Sequence, residues 1–131
     1  MKQERVDPGW AWTKKYNISA GVKLGDTIHL SGNVAFDDAG EVVGAGDTYA
    51  QSKQIFKNIE EALASAGASM GDVIKITTYL TDIAQYGEFG KARSEAFPNG
   101  VPASTAVAVS ALVMPELLVE VEAVAVIGSG A

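Results

Sequence analysis

Glu120 and Glu122 stand two residues apart in Leu117-Leu-Val-Glu-Val-Glu-Ala-Val-Ala-Val-Ile127, the longest apolar run of the chain. A strand places alternate residues on one face. Both carboxylates therefore share a face with Leu118, Val124 and Val126, and Leu117, Val119, Val121, Ala123, Ala125 and Ile127 line the other. Three readings of the pair stay open. They are a solvated strand edge, hydrogen bonding inside a subunit interface, or a cleft in which Glu120 acts as general base or ligand contact. The next candidates lie in Thr27-Ile-His-Leu-Ser-Gly-Asn-Val-Ala-Phe36. His29 is the single histidine of the chain. With no acid nearby to orient it, it reads as a packed or interface residue rather than a catalyst. Ser31 reads as a hydrogen-bonding group rather than a nucleophile for the same reason. No nearby pair of His, Asp or Glu positions has recognisable metal-ligand spacing, so no metal is expected.

Composition narrows the partners. The net charge of −6 and the presence of only Arg5 and Arg93 as arginines speak against nucleic-acid binding, which needs clustered cations. The chain has no cysteine, which removes disulfides, thiol catalysis and thiolate metal sites. No apolar run approaches the ~20 residues of a membrane span, and the N-terminus is polar without a signal-peptide pattern. A cytoplasmic protein with no membrane partner is expected. An apolar content of 47% in 131 residues fits one domain with a real core.

The elements that must hold these residues follow from periodicity. Residues 1–16 read as a polar arm. Its Trp10 and Trp12 either pin it to the body or line a cleft or subunit contact. Asn17–Val22 reads as a short edge strand and Thr27–Phe36 as a half-buried strand. In the latter Ile28, Leu30, Val34 and Phe36 oppose His29, Ser31, Asn33 and Ala35. Gly32 within it predicts a bulge or a close backbone approach. Glu41–Val43 reads as a short returning strand, and Gly44-Ala-Gly46 as a plain connector.

Thr48-Tyr-Ala-Gln51 fits a capping box. It opens a helix over 48–66 whose stripe is Ser52, Ile55, Phe56, Ile59, Ala62, Leu63 and Ala66. Asp72–Leu80 reads as a β-branched strand. A second helix follows, from the Thr81-Asp82 cap to Pro98. Ala103–Leu112 and Leu117–Ile127 close the sheet, and 128–131 is expected to be a flexible tail. The result is an α+β layer, a six-strand mixed sheet with two helices on one face. The face left over, read as His29, Ser31, Ser104, Ala106, Ala108 and Val124, predicts burial by another subunit.

Several segments together resemble the RidA/YjgF family of reactive-intermediate deaminases, also called the endoribonuclease L-PSP family. They are Gly25-Asp-Thr-Ile-His-Leu-Ser-Gly32, the helix Gln51 to Ala66, Gly71-Asp-Val-Ile-Lys75, Val101-Pro-Ala103 and Leu118-Val-Glu-Val-Glu-Ala-Val-Ala125. The similarity spans about residues 17–127. It implies a chorismate-mutase-like fold of the bacillus type and a homotrimer with ligand clefts between subunits. It also implies hydrolysis of imines and enamines of short 2-keto acids without a cofactor. Glu120 falls on the family glutamate that handles water, and Ser31 on the serine that lines the cleft.

The other substrate-binding positions depart from the pattern. Ser104 stands where the family has its arginine, Ala106 where it has cysteine or threonine, Gly90 where it has asparagine, and Ile18 where it has an aromatic residue. Loss of the arginine removes charge-assisted hydrogen bonds worth ~1.5–3 kcal/mol each. Arg93 and Lys91 are the nearby cations, with a solvated helix face as their plain reading. The resemblance thus implies a divergent member. Either it hydrolyses an imine, an enamine or a related small molecule, or it is a non-catalytic trimer that binds a metabolite or a protein. A ribonuclease is disfavoured by the acidic charge.

Overall fold

The computed structural model describes residues 1–130; Ala131, the last residue of the expected tail, lies outside them. Six strands form one sheet: β1 Glu4–Val6, β2 Gly21–Leu24, β3 Thr27–Leu30, β4 Val73–Leu80, β5 Ala103–Ala108 and β6 Val119–Val126. Their spatial order is β1-β2-β3-β6-β4-β5. All neighbours are antiparallel except β4 and β5, which run parallel because a helical crossover joins them. The helices are α1 Ala11–Lys15, α2 Thr48–Ser65 and α3 Tyr86–Ala96.

β6 alternates buried and half-buried residues along its whole length. Val119, Val121, Ala123 and Ala125 meet Ile28 and Leu30 of β3, Ile76 and Leu80 of β4, and the α2 stripe of Ile55, Phe56, Ile59, Ala62 and Leu63. Each large apolar side chain removed from water contributes about 1.5–3 kcal/mol. Lys53, Lys57, Glu60 and Glu61 remain exposed on the outer side of α2. Phe56, Phe89 and Phe97 form an aromatic cluster that joins α2 to α3.

Several local expectations are corrected. Glu41–Val43 is no strand but an isolated bridge between Phe36 and Val42, and Glu4–Val6 takes the sixth place in the sheet. Glu-Arg-Val carries no alternation to reveal it; pairing along the β2 edge creates the strand. The arm packs on the body through Trp10 and Trp12, both buried, in keeping with the pinning role read for them.

β3 ends at Leu30 rather than Phe36. Beyond Gly32 the alternation fails: Asn33, Val34, Ala35 and Phe36 are all buried. Asn58 holds this irregular stretch, donating to the carbonyls of Val34 and Phe36 at 3.3 and 2.9 Å.

At the start of α2 the N-cap is Asp47, whose carboxylate accepts from Ala50 N at 3.0 Å. A charged acceptor one residue earlier outcompetes the expected Thr48 hydroxyl. Gln51, freed from capping, is fully buried and clamps two distant segments. Its Nε2 donates to the carbonyls of Gly44 and Glu116, and its Oε1 accepts from Leu118 N.

The expected flexible tail is tied down over its described part. Gly130 N donates to Asp72 Oδ1 at 3.0 Å, and Ser129 Oγ donates to the Val126 carbonyl at 2.7 Å. The Gly130 and Ser69 amides hold the Asp72 carboxyl below its ordinary range.

The Gln51 clamp generates a stability prediction. Gln51→Leu keeps the volume but orphans the Glu116 carbonyl and the Leu118 N–H, at about 1–3 kcal/mol for each group, while the Gly44 carbonyl keeps the Asp47 amide. Urea unfolding is expected to lose about 2–4 kcal/mol relative to the parent chain, because part of that cost is recovered by water.

Candidate functional site

Glu120 and Glu122 project from β6 on the side away from α2. Strand pairing sets Tyr79 opposite Glu120 and Thr77 opposite Glu122. The Tyr79 hydroxyl reaches diagonally and donates to Glu122 Oε1 at 2.5 Å. That bond, followed by desolvation, raises the Tyr79 pKa above its usual value. Glu122 is thus engaged in a side-chain hydrogen bond to a tyrosine. Glu120 receives no side-chain or backbone hydrogen bond among the described residues, and it is half-buried. Burial pushes its carboxyl above the ordinary range, and the negative charge of Glu122 pushes it further.

The Glu120 carboxylate lies on the backbone of Gly32. A Cβ at Gly32 would overlap Oε2 of Glu120, so glycine is required for the acid to sit there. The close approach that Gly32 announces is therefore the approach of Glu120. Together they floor a cleft of about 220 Å³ lined also by Trp10, Trp12, Ile18, Ser31, Asn33 and Val113. Ser31 Oγ donates to the Ser19 carbonyl at 2.7 Å, which leaves its lone pairs as what it can offer a ligand. Ile18, at the expected aromatic position, is 47% exposed at the rim of this cleft.

The remaining expected site residues lie elsewhere. Ser104, Ala106 and Ala108 pair with Ile76, Thr78 and Leu80, which face the helices. They stand on the helix side of the sheet, not on the open face with His29 and Val124. The open face carries Ala103, Thr105 and Val107 instead, in register with Lys75, Thr77 and Tyr79. The alternation of β5 is ambiguous from sequence because both of its faces are made of small residues.

Arg93 joins this second group. Its Nη1 donates to Ser104 Oγ at 3.0 Å, and its guanidinium lies 5.4 Å from the ring centres of Tyr86 and Phe89. A Cβ at Gly90 would stand 3.8 Å from its Nη2. Lys91 lies instead over the Tyr49 ring at 4.7 Å. Within one chain, then, Glu120, Ser31 and Ile18 gather on one side, and Ser104, Ala106, Gly90 and Arg93 on the other.

Asn33, Phe36 and Val113 were not singled out as lining residues by the sequence. Asn33 resembled an outward strand position, and only the break after Leu30 turns it inward. Among the described residues no cluster of His, Asp and Glu suits a metal ion, and no helix is long and apolar enough to cross a membrane.

The electrostatics of the acid pair are testable. Glu122→Gln removes the negative neighbour and so makes ionisation of Glu120 easier. The Glu120 pKa, followed by carboxyl-carbon NMR, is expected to fall toward the ordinary glutamate value while staying above it, since burial is the larger cause.

Comparison with known proteins agrees with this architecture. Residues 11–127 match the family described as endoribonuclease L-PSP. A RutC family protein of Pyrococcus abyssi is 39% identical over 108 residues, covering 82% of this chain and 84% of the relative. The crystal structure of a YjgF/YER057c/UK114 family member from Mycobacterium tuberculosis superposes with a TM-score of 0.80 at 32% identity, covering 96% of this chain and 100% of that one. RidA from an Antarctic Psychrobacter species gives 0.78 at 33% identity, over 83% of this chain and 87% of that one. The six-strand mixed sheet with its helices is the chorismate-mutase-like fold of these neighbours. The chain belongs to the RidA/YjgF family, also described as endoribonuclease L-PSP.

Proposed function

We propose that this protein hydrolyses the C=N bond of a small uncharged imine, or of the enamine that tautomerises to it, in clefts completed by neighbouring copies of a homotrimer. The observation that carries the reading is the Glu120 carboxylate, half-buried on Gly32, raised in pKa and without a hydrogen-bond partner. A carboxylate whose pKa is raised is a stronger base toward water than a solvated one. Glu120 takes a proton from water as the water oxygen bonds to the imine carbon, and returns it to nitrogen to give the carbinolamine. It then passes the hydroxyl proton of that intermediate to nitrogen, the C–N bond breaks as the C=O bond forms, and ammonia leaves the carbonyl product. Ser31 accepts a hydrogen bond from the substrate nitrogen. No metal or organic cofactor enters this scheme.

The trimer supplies what one chain leaves apart. Glu120 and Ser104 lie on opposite sides of the sheet, and β5 is an exposed edge strand. A neighbour that packs its β5 and α3 edge over the Glu120 cleft brings Gly90, Ser104 and Ala106 to the substrate. It also covers the open face around Val107 and Val124.

Ser104 in place of the arginine disfavours a 2-imino acid. Arg93 motivates a second reading, because its guanidinium lies beside Ser104 and Gly90. Under that reading Arg93 anchors a carboxylate from a new position.

Ammonia release separates these alternatives. The freshly generated imine of butanone is expected to be hydrolysed above the buffer rate at least about tenfold faster than 2-iminobutanoate, the worth of one charge-assisted hydrogen bond. Glu120→Gln should return the rate to that of buffer. Faster turnover of 2-iminobutanoate, lost in Arg93→Lys, would establish the second reading. Absence of ammonia from both substrates leaves a non-catalytic trimer that binds a metabolite or a protein. Light scattering at three times the chain mass checks the assembly.

A further inference from the structure

We infer that His29 makes the assembly acid-sensitive: once its imidazole is protonated the copies separate, and the cleft over Glu120 loses the edge that completes it. The inference names a regulation of the site proposed above and rests on that reading for the homotrimer, not for the reaction.

His29 is the only histidine of the chain, and it stands exposed on the open face of β3. Strand pairing sets Val22 of β2 opposite it on one side and Val124 of β6 on the other. The next residue of β3 on this face is Thr27, which has Leu24 and Val126 opposite. Leu24 is 44% exposed, and Met1, Gln3, Val22, Leu24 and His29 border a hollow of about 340 Å³. The imidazole is thus an ionisable group set in a belt of aliphatic side chains. A neighbour that covers Val124 covers His29 with it, because side chains opposite each other on paired strands lie about 5 Å apart.

The charged groups around His29 do not offset a proton on it. Arg5 of β1 lies beyond Val22, and its Nη1 donates to Gln3 Oε1 at 2.8 Å. Lys75 of β4 lies beyond Val124, and its Nζ donates to Thr105 Oγ1 at 2.6 Å. Met1 brings the terminal amino group to the hollow. Glu122, two residues before Val124 on β6, accepts from the Tyr79 hydroxyl, and Glu120 lies two residues further away. β2 brings no charge to this face beside His29. Among the described residues the imidazole has no hydrogen-bond or ion-pair partner, and three of the five charged groups are cations.

Covering a neutral imidazole desolvates two nitrogen atoms, whereas covering an imidazolium desolvates an ion without a partner, which is far costlier. Each copy must shed that proton to associate. Association is therefore full above the range in which a solvated imidazole titrates, and it is lost as the pH falls through that range.

Light scattering of the full chain over a dilution series, repeated from about pH 8 to about pH 5.5, reads the effect. The concentration at which half of the chains are assembled is expected to rise at least about tenfold over that range. Far-UV circular dichroism of the same samples separates dissociation from unfolding. His29→Gln, neutral throughout, should hold its half-assembly concentration within about twofold across the range. His29→Arg, charged throughout, should raise that concentration at about pH 8 by at least about tenfold. A half-assembly concentration that ignores pH, an assembly that tightens in acid, or an acid response that persists in His29→Gln would each overturn the inference and leave the homotrimer standing. A monomer at about pH 8 would remove the homotrimer and the inference together. Absence of ammonia release from an assembly that still dissociates in acid removes the reaction and keeps the inference.

Discussion

β6 must satisfy two environments at once, and the molecule is arranged around that constraint. Its Val119, Val121, Ala123 and Ala125 are sealed against α2 and the neighbouring strands, while Glu120 and Glu122 leave on the other side. A one-residue slip in register would carry both carboxylates into the core. Desolvating two charges without partners would then cost more than most single defects a domain tolerates. The clamp of Gln51 on Glu116 and Leu118 holds the entry to β6 and so fixes that register. α2 therefore both buries the apolar face of β6 and sets its alignment.

The two acids diverge because their surroundings differ, not because their chemistry does. Glu122 accepts from Tyr79, and that bond settles it in a structural position. Glu120 receives no such donor and is pressed onto Gly32, where burial raises its pKa. A side chain at Gly32 would expel the carboxylate. A short unpaired stretch after β3 therefore serves the acid on β6, and the end of regular pairing at Leu30 is part of how the cleft is made. The N-terminal arm adds Trp10 and Trp12 to the lining, so a segment without a strong sequence pattern takes part in the cleft.

The group around Ser104 obeys a different logic. Arg93 is held by one hydrogen bond and two aromatic rings, and its Nε is buried without a partner. It occupies the neighbourhood of the two positions where the family resemblance implies substrate contacts. The thickness of the sheet separates this group from Glu120 within one chain.

The sequence by itself determined what periodicity and chemical type can carry. The α2 stripe, the two faces of β6, the β-branched β4 and the significance of Gly32 all follow from local pattern, because a 3.6 or 2 residue period leaves its mark whatever the partners are. Family membership followed too, from segments matched in order. The tertiary structure decided the rest. Glu4–Val6 became a strand only because β2 offers it an edge, and Asp47 displaced Thr48 as cap through a stronger acceptor. The faces of β5 could be told apart only through its pairing with β4, since small residues on both sides carry no burial signal. Asn33 turned inward once β3 broke. The separation of Glu120 from Ser104 belongs to this second kind of fact: residue type names a candidate acid or anchor, but the packing of the sheet decides which side it faces and what it can reach.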